Sequence, residues 1–375
     1  MKAVMRRFWD MLSDGRPRVI RRLIMSWIWT ILFVTCVGVV LILMNNLSEK
    51  SKLTRDTDTV DTVTAVEADS RLCPLVPPNL KGRLKIEKAA STWRELETRY
   101  DNVKEGGVYS PNECQSRHKV AIIIPYRDRE HHLRVFLNHY HPLLQRQQIQ
   151  YAIYVIDLAP GSMFNRAMLL NIGFTEASRI DDYGCYIFHD VDFMAEDDRN
   201  IYTCSDTEPR HMGVSLDIHK YKLLYPQYFG GTSAMTKEQF MLVNGFSNKF
   251  FGWGGEDDDM YYRIKQNKMS ISRIESSIAR YTMLSHKPDM EMNKDRWSMV
   301  KEVKKRWRVD GLNSLQYKVL SINKYKLYTH IKVQINQKEI MKVSATCIAV
   351  HVILNTDSTT KYKPTSGPNG HILFT

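Results

Sequence analysis

The sequence predicts an α/β domain with a mostly parallel central sheet, preceded by one transmembrane helix. Apolar β-branched runs alternate with segments whose apolar residues recur at helical spacing, which is typical of a parallel sheet covered by helices. Residues 24–44 form an uncharged run of 21 residues, long enough to cross a bilayer as a helix. With 375 residues and 43% apolar content, the chain can also bury a sizeable core.

Three strands and two helices are predicted to alternate in the first half of the α/β domain. Their ranges are 120–125 (strand), 131–144 (helix), 151–157 (strand), about 165–177 (helix) and 185–189 (strand). Ligands of such sheets bind beyond the carboxyl ends of the strands. Arg127, Arg129, Asp157, Asp190 and Asp192 follow those ends, so we expect the site at this edge of the sheet.

The N-terminal segment is predicted to anchor the chain in a membrane. Residues 1–23 carry a net charge of +5 and are expected to stay in the cytoplasm as a short tail. No small-residue cleavage site follows residues 24–44, which indicates an uncleaved signal anchor and a single-pass type II protein. Residues 45–71 lack aromatic residues and predict a flexible stem. Residues 72–337 form the expected luminal domain, and residues 338–375 a C-terminal tail to which we assign no role.

The charge distribution argues against nucleic acid as a partner. The formal net charge is +12, of which the segment before the membrane carries +5 and residues 338–375 carry +2. The remaining +5 is modest, and it fits a small anionic substrate better than a nucleic-acid backbone.

Cysteine usage indicates an oxidising compartment. Of the six cysteines, Cys73, Cys114, Cys185 and Cys204 fall in the predicted luminal domain. An even number there favours two disulfides, and three pairings are possible. A zinc site is the competing interpretation, but no CxxC pair occurs in the sequence.

The stretch from Gly252 to Asp259 places four consecutive acidic residues behind a turn of three glycines and Trp253. On a strand or a helix, at most two neighbouring carboxylates can point into one pocket. The glycines allow a sharp bend close to a ligand. The stretch therefore predicts an acid/base site, with an acidic surface turn as the alternative.

A second acidic feature, Asp190-Val191-Asp192, ends a buried strand, where the two aspartates could share a cation or cap a turn. Met283 and His286 could supply further ligands, although such residues are usually structural. Carboxylate, imidazole and thioether together would suit Mn²⁺ or another transition metal better than Mg²⁺ or Ca²⁺.

Arginine and aromatic residues offer further candidates. Guanidinium groups match phosphate geometry, so Arg127, Arg129 and Arg166 could bind a diphosphate, the alternative being surface ion pairs. Aromatic side chains could form platforms for sugar rings or belong to the core. They are Tyr225, Tyr228, Phe229, Trp253 and Trp297.

Five motifs in one order give the chain a family resemblance. They are Phe164-Asn165-Arg166-Ala167, Asp190-Val191-Asp192, Tyr228-Phe229-Gly230-Gly231, residues 252–259 and Met283-Leu284-Ser285-His286. Together they closely resemble the β-1,4-galactosyltransferase family of Golgi type II enzymes, over roughly residues 73–337. The resemblance implies a GT-A nucleotide-sugar fold and a Golgi location with the catalytic domain in the lumen.

The resemblance also implies roles for individual residues. The UDP-sugar would be bound by Pro125, Arg127, Arg129, Phe164, Asn165, Arg166, Asp190, Val191 and Trp253, the last in a small mobile loop. Tyr126 and Asp128 replace a family Phe and Asn in this segment. The Mn²⁺ ligands would be Asp192, Met283 and His286, and the catalytic base Asp257. The acceptor would be held by Glu256, Asp258, Tyr225, Tyr228, Arg296 and Trp297, the last replacing a family Phe. The implied disulfides are Cys73–Cys114 and Cys185–Cys204.

The expected function is an inverting, Mn²⁺-dependent transfer of galactose from UDP-galactose to the 4-hydroxyl of N-acetylglucosamine on glycoproteins or glycolipids. The bulk of Tyr228 favours galactose, since family members that use UDP-N-acetylgalactosamine carry a smaller residue there. That second donor is the alternative. A luminal glycan-binding protein without turnover is a third hypothesis, which the intact acidic run disfavours.

Overall fold

The computed structural model describes residues 71–286 and 291–342, together with the backbone of 364–366 and 372–374. The predicted cytoplasmic tail, membrane anchor and nearly all of the stem lie outside these residues. Among the described residues, no helix is both long and apolar enough to span a bilayer. A compact unit begins at Leu72.

Eight α-helices occur in the described residues. They are α1 (Trp93–Arg99), α2 (Glu130–Arg146), α3 (Arg166–Ile180), α4 (Lys237–Leu242), α5 (Glu256–Gln266), α6 (Arg296–Lys301), α7 (Val303–Arg306) and α8 (Gln337–Lys342). Two 3-10 turns lie at Asp217–His219 and Leu312–Ser314.

The described strands form three sheets. The strands are β1 (Lys119–Tyr126), β2 (Gln150–Leu158), β3 (Cys185–His189), β4 (Phe193–Ala195), β5 (Arg210–His211), β6 (Ser215–Leu216), β7 (Thr232–Thr236), β8 (Arg280–Met283), β9 (Lys318–Lys324), β10 (Thr329–Gln334), β11 (Pro364–Ser366) and β12 (Ile372–Phe374). The main sheet has the order β5-β7-β3-β1-β2-β10-β9, a small sheet the order β4-β8-β6, and β11 pairs with β12.

The five elements predicted for residues 120–189 are confirmed as β1, α2, β2, α3 and β3, with bounds within a few residues. The prediction of a mostly parallel sheet holds for the centre only. Strands β3, β1, β2 and β10 are parallel neighbours, whereas β7, β5 and β9 pair antiparallel at the two edges. The sheet is therefore mixed. Strand β9 does not form an apolar run in the sequence, because it is largely solvent-exposed.

The central strands are buried on both faces, which explains their continuous apolar sequence. In β1, Val120, Ile122 and Ile124 pack into a core with α2, while Ala121 and Ile123 pack into a second core with α3. Helix α3 approaches so closely that a Cβ at Gly173 would lie 2.1 Å from Ile123 Cγ2. Only glycine permits this contact.

Both disulfides implied by the resemblance are present. Cys73 is bonded to Cys114 and Cys185 to Cys204. The first holds the N-terminal end of the domain against the segment before β1, and the second ties the start of β3 to the loop that follows β4.

The folded domain continues past the predicted boundary between residues 337 and 338. Helix α8 spans that point, Ile340 is buried in the core beside α3, and Gln337 Oε1 accepts a hydrogen bond from Met163 N at 3.0 Å. The alternating sequence of residues 342–354 suggests strand character, but Lys342 belongs to α8, and residues 343–354 lie outside the described residues.

Candidate active site

The acidic stretch forms the first turn of a helix at the carboxyl-terminal side of the sheet. Gly252, Gly254 and Gly255 all have positive φ, and Gly255 at +92° is the N-cap of α5. The four acidic residues at 256–259 then fill the first turn. A helix N-terminus favours negative charge, so the backbone stabilises the carboxylates in this position.

Arg166 connects this turn to the end of β3. Its Nε donates to Asp190 Oδ1 at 2.6 Å, and its Nη1 lies 3.6 Å from Glu256 Oε1. Burial opposes the charge of Arg166, but the carboxylates of Asp190 and Glu256 outweigh it and raise its pKa. This guanidinium therefore joins two residues that the resemblance assigns to donor and acceptor, respectively.

The carboxylates of this cluster hold their protons more tightly than ordinary ones. Burial raises the pKa of Asp257 to about 7; Glu256 adds to the rise and Arg166 opposes it. Burial also raises the pKa of Asp258 to about 6, with the carboxylate of Asp257 contributing in the same direction. A carboxyl group with a pKa near neutrality is suited to exchange protons at physiological pH.

Two tyrosines line the same cluster. Burial and the nearby carboxylates of Asp257 and Asp258 raise the pKa of Tyr225, whose ring lies 5.7 Å from that of Tyr228. A Cβ built on Gly230 would lie 2.7 Å from the Tyr228 ring and 2.9 Å from Asp257 Oδ2. Because Gly230 has no side chain, its backbone can lie directly against both Tyr228 and Asp257.

The three residues assigned to the metal also converge. His286 Nε2 lies 3.1 Å from Asp192 Oδ2, and the backbone of Leu284 donates to Asp192 O at 2.8 Å, which brings β8 and Met283 alongside. Asp190 Oδ1, by contrast, is paired with Arg166 Nε at 2.6 Å.

The chemistry of these donors fits a divalent transition metal. Ligand atoms about 2.1 Å from one cation at a right angle lie about 3 Å apart, which matches the Asp192–His286 spacing. Within the described ranges, no three His, Cys, Asp or Glu side chains form a metal-sized group. The family resemblance assigns the Met283 thioether as the third protein ligand, and this mixed set suits Mn²⁺.

The turn that carries Asp190 and Asp192 is supported by buried hydrogen bonds that the sequence did not reveal. His189 Nδ1 is bonded to Asp190 O at 2.8 Å, and its Nε2 to the hydroxyl of Tyr202 at 2.9 Å. Burial lowers the pKa of His189 to about 3, so the ring is neutral. Tyr140 donates to Phe193 O at 2.8 Å on the other side of the turn.

Asp217 is a further contributor that sequence reasoning missed. Its Oδ1 accepts a hydrogen bond from Met283 N at 3.0 Å and so fixes the end of β8. An aspartate at the start of a 3-10 turn carries no local signal of such a distant contact.

The segment after β1 lies against the loop after β2. Asp128 adopts φ = +50°, a conformation that Asp tolerates better than most residues. Arg127 Nε donates to Leu158 O at 3.2 Å, and its guanidinium lies 5.6 Å from the centre of the Phe164 ring. Arg129 Nη2 lies 3.3 Å from His286 Nδ1, which places it beside the metal residues.

The remaining residues assigned to the nucleotide differ in accessibility. Pro125 and Val191 are buried. Asn165 is fully buried; its Oδ1 accepts from Met168 N at 2.9 Å as the N-cap of α3, and its Nδ2 donates to Asn248 O at 2.8 Å. The Asn165 side chain therefore orders the start of α3, the helix that begins with Arg166.

The two tryptophans assigned to mobile loops are exposed and lie on neighbouring segments. Trp253 is 57% and Trp297 54% exposed. Trp253 N donates to Glu291 O at 3.0 Å, and a Cβ on Gly255 would lie 2.9 Å from Arg296 Cβ. Residues 287–290, which precede this second segment, lie outside the described residues.

The fourth acid of the run, Asp259, belongs to the core. Its Oδ1 accepts from Arg263 Nε at 2.5 Å, and its Oδ2 is paired with Arg306, which is also paired with Asp310. We call Asp259, Arg263, Arg306 and Asp310 the buried tetrad. It fastens the start of α5 to α7.

Models of two family regions match the chain. The N-terminal region of glycosyl transferase group 7 matches residues 73–205, and the N-terminal domain of galactosyltransferase matches residues 210–287. Together they cover more than half of the chain and include the acidic run at 256–259 and the residues assigned to the metal.

Curated relatives agree with this match. Beta-1,4-galactosyltransferase 1 from Mus musculus is 48% identical over 266 residues, which are 70% of this chain and 66% of the relative. Beta-1,4-galactosyltransferase 4 from Cricetulus griseus is 46% identical over 264 residues, 70% of this chain and 76% of the relative.

Solved structures of the Drosophila beta1,4-galactosyltransferase 7 share the fold. Its catalytic domain in complex with xylobiose has a TM-score of 0.52 at 26% identity, covering 61% of this chain and 100% of that one. A variant in complex with manganese, UDP-Gal and xylobiose has a TM-score of 0.52 at 27% identity, covering 58% and 94%. These neighbours indicate a GT-A-like fold. The chain therefore belongs to the β-1,4-galactosyltransferase family and is a glycosyltransferase.

Proposed function

We propose that this enzyme transfers galactose from UDP-galactose, with inversion, to the 4-hydroxyl of a terminal N-acetylglucosamine on a glycoconjugate. The observation that carries the proposal is Asp257. It lies in the first turn of α5 beside Tyr228, and burial raises its pKa to about 7. The names of the curated relatives and the UDP-Gal and manganese of the Drosophila complex support the choice of donor and metal.

In this mechanism Asp257 accepts the proton of the acceptor hydroxyl as that oxygen attacks the sugar. A single displacement of this kind inverts the configuration. Asp258, which lies near Tyr225, would hold the acceptor sugar. Arg166 holds Glu256 and Asp190 in place and limits how far the pKa of Asp257 rises.

Asp192, Met283 and His286 would hold Mn²⁺ at the other end of the site. When bound, the metal would neutralise the diphosphate leaving group. Arg127 and Arg129, placed at the end of β1, would contact the nucleotide. Tyr228 would exclude an N-acetyl group from the donor, since its ring fills the space beside Gly230.

We also propose that the protein is a single-pass type II protein of the Golgi membrane with its catalytic domain in the lumen. The basic segment before residues 24–44 and the two disulfides support this placement. Protease protection of the domain in sealed Golgi vesicles would test it. Digestion of the domain without detergent would contradict the orientation.

A matrix of donors and acceptors tests the activity. Full-length enzyme with Mn²⁺ is assayed with UDP-galactose and UDP-N-acetylgalactosamine against N-acetylglucosamine, xylose and glucose acceptors. We expect the highest kcat/KM for UDP-galactose with N-acetylglucosamine. Preference for another acceptor would overturn the acceptor assignment, and preference for UDP-N-acetylgalactosamine would overturn the donor.

The Asp257→Asn variant tests the role of the base. Asparagine keeps the shape but cannot accept the proton, so turnover should fall by roughly 10²-fold or more. UDP affinity, measured by calorimetry with Mn²⁺, should stay within about threefold of wild type, since Asp257 does not face the nucleotide in our assignment. Turnover at the wild-type rate would refute the assignment.

A further inference from the structure

A cleft outside the catalytic site opens between α1, the start of α2 and the turn that joins β9 to β10. Its volume is about 390 Å³, and its lining includes Trp93, Glu97, Tyr126, Glu130 and Tyr325. This size falls in the range of small-molecule sites. The residues assigned to donor, metal and acceptor are absent from the described lining of the cleft.

Three aromatic residues, Trp93, Tyr325 and Tyr328, line one side of the cleft. The ring of Trp93 lies 5.8 Å from that of Tyr328, which lies 5.1 Å from that of Tyr325, and both pairs are tilted by 34°. Tyr325 is 46% exposed. Tyr325 is therefore the most accessible of the three rings, since Tyr328 is buried.

The polar side chains of the cleft are Glu97, Glu130, three tyrosine hydroxyls and His330, whose Nε2 lies 3.2 Å from Asp157 Oδ2. Glu97 is exposed, and Glu130 fixes the indole of Trp93 by accepting from its Nε1 at 3.1 Å. Burial raises the pKa of Tyr126 to about 12, so its hydroxyl keeps a proton to donate.

The charge of the lining limits the ligand. None of the described residues that line the cleft is Lys or Arg, while Glu97 and Glu130 are both acidic. A phosphate, nucleotide or sulfated sugar would be repelled. A neutral sugar ring satisfies every feature, because its C–H face packs on aromatic rings while its hydroxyls donate to carboxylates and accept from a phenol. A cation could contact the aromatic rings and the carboxylates, but it could not accept a hydrogen bond from the phenol.

We propose that this cleft binds a neutral hexose unit of a glycan, as a saccharide site separate from the one where transfer occurs. The choice of a sugar as ligand rests in part on the proposed function, while the cleft itself does not. Tyr126 and Glu130 flank Arg127 and Arg129, so the loop after β1 is shared between the cleft and the proposed nucleotide contacts.

Calorimetric titration of the full-length, detergent-solubilised protein with N-acetyllactosamine and chitobiose tests the proposal. We expect two classes of sugar site. The Asp258→Asn change should weaken the first, at the acceptor position. The Tyr325→Ala change should weaken the second by about tenfold and leave transfer to free N-acetylglucosamine unchanged. Glu97→Gln, which alters only an exposed side chain, should weaken the second class too.

Tyr262→Ala is the matched control, because Tyr262 is also an exposed tyrosine, at 39%, but lies outside the cleft. It should leave both classes intact. One class of site, lost entirely with Asp258→Asn, would overturn the proposal. So would Tyr325-dependent binding of choline without binding of sugar. Absence of UDP-galactose turnover in the wild type would refute the proposed function alone, since binding in the cleft needs no turnover.

Discussion

The buried tetrad makes a strong prediction about stability, tested by Arg306→Met. Arg306 is paired with Asp259 and Asp310, and its Nη1 and Nη2 also contact Ser247 Oγ at 2.6 Å and Met299 O at 3.0 Å. Methionine would fill much of the volume but leave two buried carboxylates with Arg263 as their remaining partner in the tetrad.

The magnitude follows from burial. The side chains of Arg306, Asp259 and Asp310 are 8%, 0% and 5% exposed. Removing one partner of a buried ion pair typically costs about 3–5 kcal/mol. At roughly 2–4 °C per kcal/mol, we expect the melting temperature to fall by roughly 6–20 °C.

The assay is thermal unfolding of the variant beside Lys305→Met. Lys305 lies on the same helix and its side chain is 79% exposed, so its replacement should change stability by no more than about 0.5 kcal/mol. Adding Asp259→Asn to Arg306→Met should recover part of the loss, because it removes an uncompensated buried charge. A melting temperature within about 2 °C of wild type for Arg306→Met would refute the reasoning.

The pH dependence of stability gives a second readout of the tetrad. Burial opposes ionisation of Asp310, but Arg263 and Arg306 outweigh it and lower its pKa. A lowered folded-state pKa contributes stability that is present above the unfolded value, about 3.9, and lost as pH falls through the folded value. Without Arg306 the pKa of Asp310 should rise, so acid unfolding should begin at higher pH.

Three further predictions concern activity. Because the pKa of Asp257 is raised to about 7, kcat/KM should fall about tenfold per unit below that pH; a profile flat down to about pH 5 would contradict its role as base. Replacing Met283 and His286 together by Ala should raise the Mn²⁺ concentration for half-maximal activity at least about tenfold, and an unchanged manganese titration would exclude them as ligands. Tyr228→Leu should increase the ratio of UDP-N-acetylgalactosamine to UDP-galactose turnover, and an unchanged ratio in a two-donor assay would exclude the steric argument.

The local sequence was sufficient to predict the central strands and helices of the domain. The run from Val120 to Pro125 is apolar at every position. This pattern predicts a strand buried on both faces, and β1 is buried in this way. The glycines before Glu256 likewise predicted a sharp bend close to a ligand, and Gly255 starts α5 with a positive φ. Both features depend on residues that are adjacent in the chain, so the local sequence pattern is enough to predict them.

The division of labour among the acids could not be predicted from the residues alone. Asp257 and Asp259 look alike in the sequence, yet one flanks Gly230 and the other is enclosed by Arg263 and Arg306. The resemblance to the family suggested the first role but left Asp259 unassigned. Arg306 is 47 residues away from Asp259 in the sequence, so no local sequence pattern predicts that the two residues pair.

The sequence by itself determined the strand and helix order of residues 120–189, the family, and the residue types that could carry the chemistry. Only the tertiary structure decided that the outer strands run antiparallel, that Asp190 faces Arg166 while Asp192 faces His286, and that Trp93 and Tyr325 meet in one cleft. The physical reason is the range of the interactions. Backbone conformation and burial periodicity arise from adjacent residues, whereas charge pairing and cavities arise from segments that only the folded chain brings together.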